Sequence, residues 1–146
     1  MPNLDPVGMQ LFRDVLQRFG RARLCVSGTS MLPTLWPGDV VVVHRVDEAI
    51  LRRGDILLLQ RGHRLFCHRL LRWVEHDGRR HLCTRGDFLS SDDPLFPPDN
   101  LLGRVELPHR RALVSLVAPL LRAMARISQR PIAWWVRRRA ITDPQA

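Results

Sequence analysis

Residues 26–43, VSGTSMLPTLWPGDVVVV, place Ser30 inside a turn of small and hydroxylated residues that ends one apolar run and precedes another. Met31 and Pro33 follow it. Proline fixes its own φ and restricts the residue before it, so the backbone beyond Ser30 is held to few conformations. A serine that is exposed yet held is placed as a nucleophile must be. The neighbouring backbone N–H groups and the hydroxyls of Ser27 and Thr29 are candidate donors to the oxyanion that forms when Ser30 attacks a carbonyl, making Ser27, Thr29 and Ser30 the expected oxyanion hole. A serine hydroxyl is a weak nucleophile and needs a base. Taken alone, the segment reads equally as a Ser/Thr-rich turn between two strands.

The elements that must position this serine follow from hydrophobic period and turn residues. Met9, Leu11, Phe12, Val15, Leu16 and Phe19 recur at helical spacing, with Gly20 as the stop, which predicts an amphipathic helix over 8–19. Strands are predicted at 24–28, 39–46, 55–60, 64–74, 79–85 and 101–107. Pro37-Gly38-Asp39 and Arg53-Gly54-Asp55 each open a strand, and Asp39 and Asp55 are read as turn residues without chemistry. Asp77-Gly78 between two apolar runs is a hairpin signal. Residues 86–100 hold three prolines and four aspartates without periodicity, which predicts an ordered surface loop. After Pro108 the pattern turns helical, with Leu113, Leu116, Val117, Leu120, Leu121, Met124 and Ile127 on one stripe and a second short helix near 132–139. The fold class is therefore mainly β, an antiparallel and partly barrel-like sheet flanked by N- and C-terminal amphipathic helices. The divisions are a helix at 1–23, a catalytic domain at 24–107 and a basic helical extension at 108–146.

SGTSMLPTLWPGDVV, then RRGDILLL, CHRLL and TRGDFLSSDD, resemble in order the successive boxes of the type I signal peptidase superfamily. The SGxSM form at 27–31 is shared with the superfamily's self-cleaving repressors, while MxPTL at 31–35 resembles the signal peptidases. Most bacterial members use a lysine base, and all 23 basic residues of this chain are arginine. The resemblance therefore points to the microsomal, archaeal and sporulation-type enzymes. It implies His68, in His68-Arg69-Leu70, as the general base, Asp93 as the orienting acid and Asp87 as a supporting residue. The chemistry is coherent: an aspartate that accepts from one imidazole nitrogen fixes the tautomer whose other nitrogen takes the serine proton. The resemblance covers about residues 24–106 and implies a serine endopeptidase that cleaves a peptide or preprotein after a small residue. Each member of the set also has a structural reading: His68 as a hydrogen-bonded histidine on a hairpin strand, and Asp92 and Asp93 before Pro94 as turn initiators.

Composition narrows the partners. Cys25, Cys67 and Cys83 are odd in number and lack CxxC spacing, which argues against a disulfide framework and a zinc site. His44, His63, His76, His81 and His109 lack the paired spacing of metal ligands, so no metal or other cofactor is expected. Of the net charge of +9, the first 107 residues hold 15 arginines against 13 acids, and the remainder 8 arginines against Asp143. The body carries neither a basic face with stacking aromatics nor a recognition helix, so no nucleic-acid partner is expected. No secretory signal is read at the N-terminus and no apolar run reaches the length of a spanning helix. The apolar stripe at 113–127, with Trp134-Trp135 and Arg137-Arg138-Arg139, makes an anionic membrane surface a candidate partner, while the width of the stripe favours a helix packed on the sheet. The location is then peripheral to a membrane or cytoplasmic. A catalytically inactive peptide-binding relative is the competing function, separated by whether Ser30→Ala abolishes activity. A repressor-type sensor is disfavoured by the missing lysine base and the absence of a helix-turn-helix before Leu24.

Overall fold

A computed structural model describes residues 5–107, and the helices expected after Pro108 lie outside the described residues. Helix α1 (Pro6–Phe19) begins where the sequence supplies a cap: the Asp5 carboxylate accepts from the Gly8 N–H at 2.7 Å, and Pro6 opens the first turn. It ends at Gly20, whose φ of 68° lets its N–H bond back to the Leu16 carbonyl. Met9 and Leu16 turn inward, whereas Val7, Leu11 and Phe19 stay exposed.

Six strands follow: β1 (Arg21–Cys25), β2 (Val40–His44), β3 (Ile56–Arg61), β4 (Arg64–His76), β5 (Arg79–Arg85) and β6 (Leu101–Glu106). They form one sheet of order β1-β2-β6-β3-β4-β5, antiparallel at every pairing. The first strand begins three residues earlier than the apolar run at 24–28 suggests, because Ala22 and Leu24 alternate inward while Arg21 and Arg23 face out. Asp77 (φ 50°) and Gly78 (φ 69°) form the expected two-residue hairpin between β4 and β5.

The sheet is open. Barrel closure would need edge strand β1 to bond edge strand β5, and the two do not pair, so the partly barrel-like expectation gives way to an open sheet with apolar cover on both faces. Central strand β3 shows why. Ile56 and Leu58 pack on one face with Met9, Leu16, Val41 and Val43, while Leu57 and Leu59 pack on the other with Leu70, Leu82 and Phe96. All four β3 side chains are at most 3% exposed.

The two Gly-Asp turns are built alike. Asp39 accepts from the Trp36 N–H at 2.7 Å and Asp55 from the Arg52 N–H at 2.8 Å, while Gly38 and Gly54 take φ values of 91° and 98°. Both aspartates serve the turns, as their sequence context indicates.

Candidate active site

The turn carrying Ser30 leaves the sheet at Val26, whose N–H bonds to the Asp39 carbonyl, and returns through Pro37-Gly38. Val26 before Ser30 and Met31, Leu32, Thr34 and Leu35 after it are buried, so side chains on both sides of Ser30 anchor the turn. Ser30 itself is half-buried and faces a cleft of about 360 Å³.

His68 lies on β4, opposite Leu57 of β3. Its neighbours Cys67 and Arg69 therefore point to the other face, where Cys67 joins the core cluster. The His68 ring packs edge-on against Phe66, with ring centroids 5.1 Å apart, and is only 6% exposed as a residue. Its Nε2 lies 3.1 Å from Ser30 Oγ, and its Nδ1 lies 2.6 Å from Asp93 Oδ2.

Asp93 is held in turn. Its N–H donates to the Thr84 carbonyl at 2.8 Å, and Thr84 Oγ1 donates to Asp93 Oδ2 at 2.7 Å. The 86–100 segment is thus an ordered loop laid along the edge of β5, where Phe96 and Leu82 exchange two backbone hydrogen bonds of 2.7 and 3.0 Å. Asp92 turns the other way and pairs with Arg72 and Arg85 at 3.3 and 3.4 Å.

Asp87 binds Arg69 and Thr34. Its carboxylate is 1% exposed and accepts from Arg69 Nε at 2.8 Å, from Arg69 Nη2 at 2.7 Å and from Thr34 Oγ1 at 2.5 Å. Arg69 Nη1 also donates to the Gly54 carbonyl at 2.7 Å. This network ties the turn carrying Ser30, the His68 strand and the 86–100 loop together at one buried carboxylate. Arg69, Thr34 and Thr84 were not distinguished in the sequence, where each reads as an ordinary strand or turn residue.

Gly86 was missed as well. A side-chain carbon there would stand 2.6 Å from the Ser30 carbonyl oxygen and 3.0 Å from His68 Nε2. The Phe88 N–H donates to that same Ser30 carbonyl at 2.9 Å. Only a glycine lets the loop approach this closely, and the Gly-Asp pair of RGDFL was the available signal.

Of the expected oxyanion residues, Thr29 and Ser30 line the cleft, Gly28 lines it beside them, and Ser27 is exposed and does not. The floor is apolar: Val26, Met31, Leu65 and Cys67 are each at most 2% exposed. Burial pushes the Cys67 thiol far up from its ordinary range, which keeps it protonated and non-nucleophilic. Cys83 is also raised, chiefly by burial.

Among the described residues, no group of three or more His, Cys, Asp or Glu side chains is gathered in metal-binding fashion. No helix among them is long and apolar enough to cross a membrane. No protein-family model matches the chain, and no curated protein matches it.

Proposed function

We propose that the chain is a serine endopeptidase of the signal peptidase type, acting through Ser30, His68 and Asp93. The observation that carries this reading is the unbroken hydrogen-bonded run from Ser30 Oγ to His68 Nε2 and from His68 Nδ1 to Asp93 Oδ2. Its order is that of a serine triad.

The chemistry follows from the atoms. Asp93 Oδ2 accepts from His68 Nδ1–H, which leaves the Nε2 lone pair directed at Ser30. As Ser30 Oγ bonds to the scissile carbonyl carbon, Nε2 takes the hydroxyl proton and Asp93 stabilises the resulting imidazolium. The developing oxyanion is met by donors of the Gly28-Thr29-Ser30 turn. Nε2 then returns the proton to the leaving amine, and water reverses the sequence to release the acyl group.

The apolar, fully buried floor of the cleft suits a small apolar residue before the cleaved bond, as the family resemblance implies. A peptide or preprotein is the proposed substrate, and contact with an anionic membrane through the basic C-terminal segment belongs to the same reading.

Alanine-rich peptides incubated with the full chain and analysed by mass spectrometry test it. Cleavage after alanine that disappears in a folded Ser30→Ala variant is the expected result. Cleavage that is absent, or identical in Ser30→Ala, overturns the proposal and favours a binding module of the same architecture.

A further inference from the structure

The cleft has a charge that the triad does not use. Arg61 and Arg64 line it together with Ser30 and His68, at the two ends of the Gly62-His63 turn that joins β3 to β4. Each is exposed, and neither forms an ion pair with a carboxylate among the described residues. The one carboxylate lining the cleft, Asp93, is engaged by His68 and Thr84.

Arg61 is also held in place. Its guanidinium carbon lies 4.7 Å from the centre of the Phe96 ring and 5.7 Å from that of Phe66, and Phe66 in turn packs edge-on against His68. Stacking on two rings limits the rotamer freedom that an exposed arginine would lose on binding an anion, and it leaves the in-plane N–H donors open. A guanidinium one aromatic ring away from His68, with a second arginine across a two-residue turn, has the donors that a planar carboxylate requires.

From this geometry we infer that the cleft selects peptides bearing a carboxylate within about three residues of the cleaved bond, at ~3.3 Å per extended residue, with Arg61 and Arg64 as its receptors. The inference rests on the peptidase reading for the position of the bond, but not for the binding itself. The carboxylate has two sources, an Asp or Glu side chain within the peptide or the free C-terminus of a short one. Both present the same planar anion to the guanidinium fork.

The experiment uses two readouts on one peptide set. Acetylated alanine heptapeptides carry a single Glu, or a single Gln at the same position, with the C-terminus amidated; a second arm compares the free acid with the amide in the all-alanine peptide. Cleavage by the wild-type chain is measured by mass spectrometry, and retention by an immobilised Ser30→Ala variant is measured separately. Glu peptides, free-acid peptides or both are expected to exceed their neutral partners by about 3- to 10-fold, the range of two partly exposed ion pairs, and the arm that responds identifies the source. Arg61→Gln/Arg64→Gln should erase the difference, 0.5 M salt should reduce it, and Arg61→Lys/Arg64→Lys should retain part of it. Equal behaviour of charged and neutral peptides in both arms, or no retention of any peptide, overturns the inference. Charge-selective retention without cleavage overturns the peptidase reading alone, and cleavage without charge selectivity overturns this one alone.

Discussion

His68 and Arg69 are consecutive on β4 and serve opposite faces of the sheet, His68 reaching Asp93 at 2.6 Å and Arg69 gripping Asp87 at 2.7 Å. The two-residue period of a strand produces this division without further design. One residue directs an imidazole toward Ser30. The next fastens the turn carrying Ser30 and the loop carrying Asp93 to the same strand, through Thr34 and the Asp87 carboxylate.

Removing His68 or the carboxylate of Asp93 should affect rate far more than fold. His68→Ala is expected to lower peptide cleavage by about 10²- to 10⁴-fold, the usual contribution of a general base. Asp93→Asn should cost up to about 10⁴-fold by favouring the wrong imidazole tautomer. Thr84→Val, which removes one hydrogen bond from Asp93 and leaves its carboxylate, should fall well short of either. Single-turnover rates, with circular dichroism to verify folding, check the order.

The Asp87 network should behave in the opposite way. Asp87→Asn leaves the Arg69 guanidinium, 12% exposed, facing a neutral amide, and an uncompensated buried charge costs about 3–5 kcal/mol. Urea unfolding of Asp87→Asn and Arg69→Leu/Asp87→Leu tests this, the double variant recovering part of the loss because it leaves no lone charge.

Gly86→Ala probes the close approach of the loop to the turn carrying Ser30. The new methyl would meet the Ser30 carbonyl oxygen at 2.6 Å and His68 Nε2 at 3.0 Å, so one of them must move. A displacement of this size at reacting groups costs on the order of 10²-fold in rate. Activity retained near the wild-type level would mean that the loop and the serine turn are not locked together.

Much of this arrangement was legible in the residues, for identifiable reasons. Asp77-Gly78 gave the β4–β5 hairpin because a turn with two positive φ values admits few residue types. Asp39 and Asp55 were readable as turn residues because each accepts a hydrogen bond from an N–H three residues earlier, a purely local interaction. The openness of the sheet was not legible, since pairing at its edges depends on contacts remote in sequence. Nor was the work of Arg69 and Thr34, which are 35 residues apart and meet only across the folded sheet. The course of the 86–100 loop depended on bonds from Phe96 and Asp93 to β5 that no periodicity announces.

The alkaline limb of stability should belong to cysteine. The chain has no lysine and no tyrosine, so the cysteines are the only side chains that titrate between roughly pH 8 and 12. Burial raises the Cys67 thiol in the folded state from an ordinary value near 9. Above that pH the unfolded chain has lost a proton that the folded chain keeps, so folding stability is full below about pH 9 and falls as pH rises beyond it, by up to ~1.4 kcal/mol per unit for one group. Thermal melts from pH 7 to 11 should show this fall, and Cys67→Ala should reduce its slope whatever its effect at neutral pH, leaving the smaller part that belongs to Cys83.

The most direct test of the Ser30–His68 pair is rapid acid quench of the protein mixed with an activated alanyl peptide ester, followed by mass mapping. One acyl group is expected, on Ser30, absent in Ser30→Ala and formed about 10²- to 10⁴-fold more slowly in His68→Ala. Acylation at another residue, or a Ser30 acylation rate indifferent to His68, would contradict it.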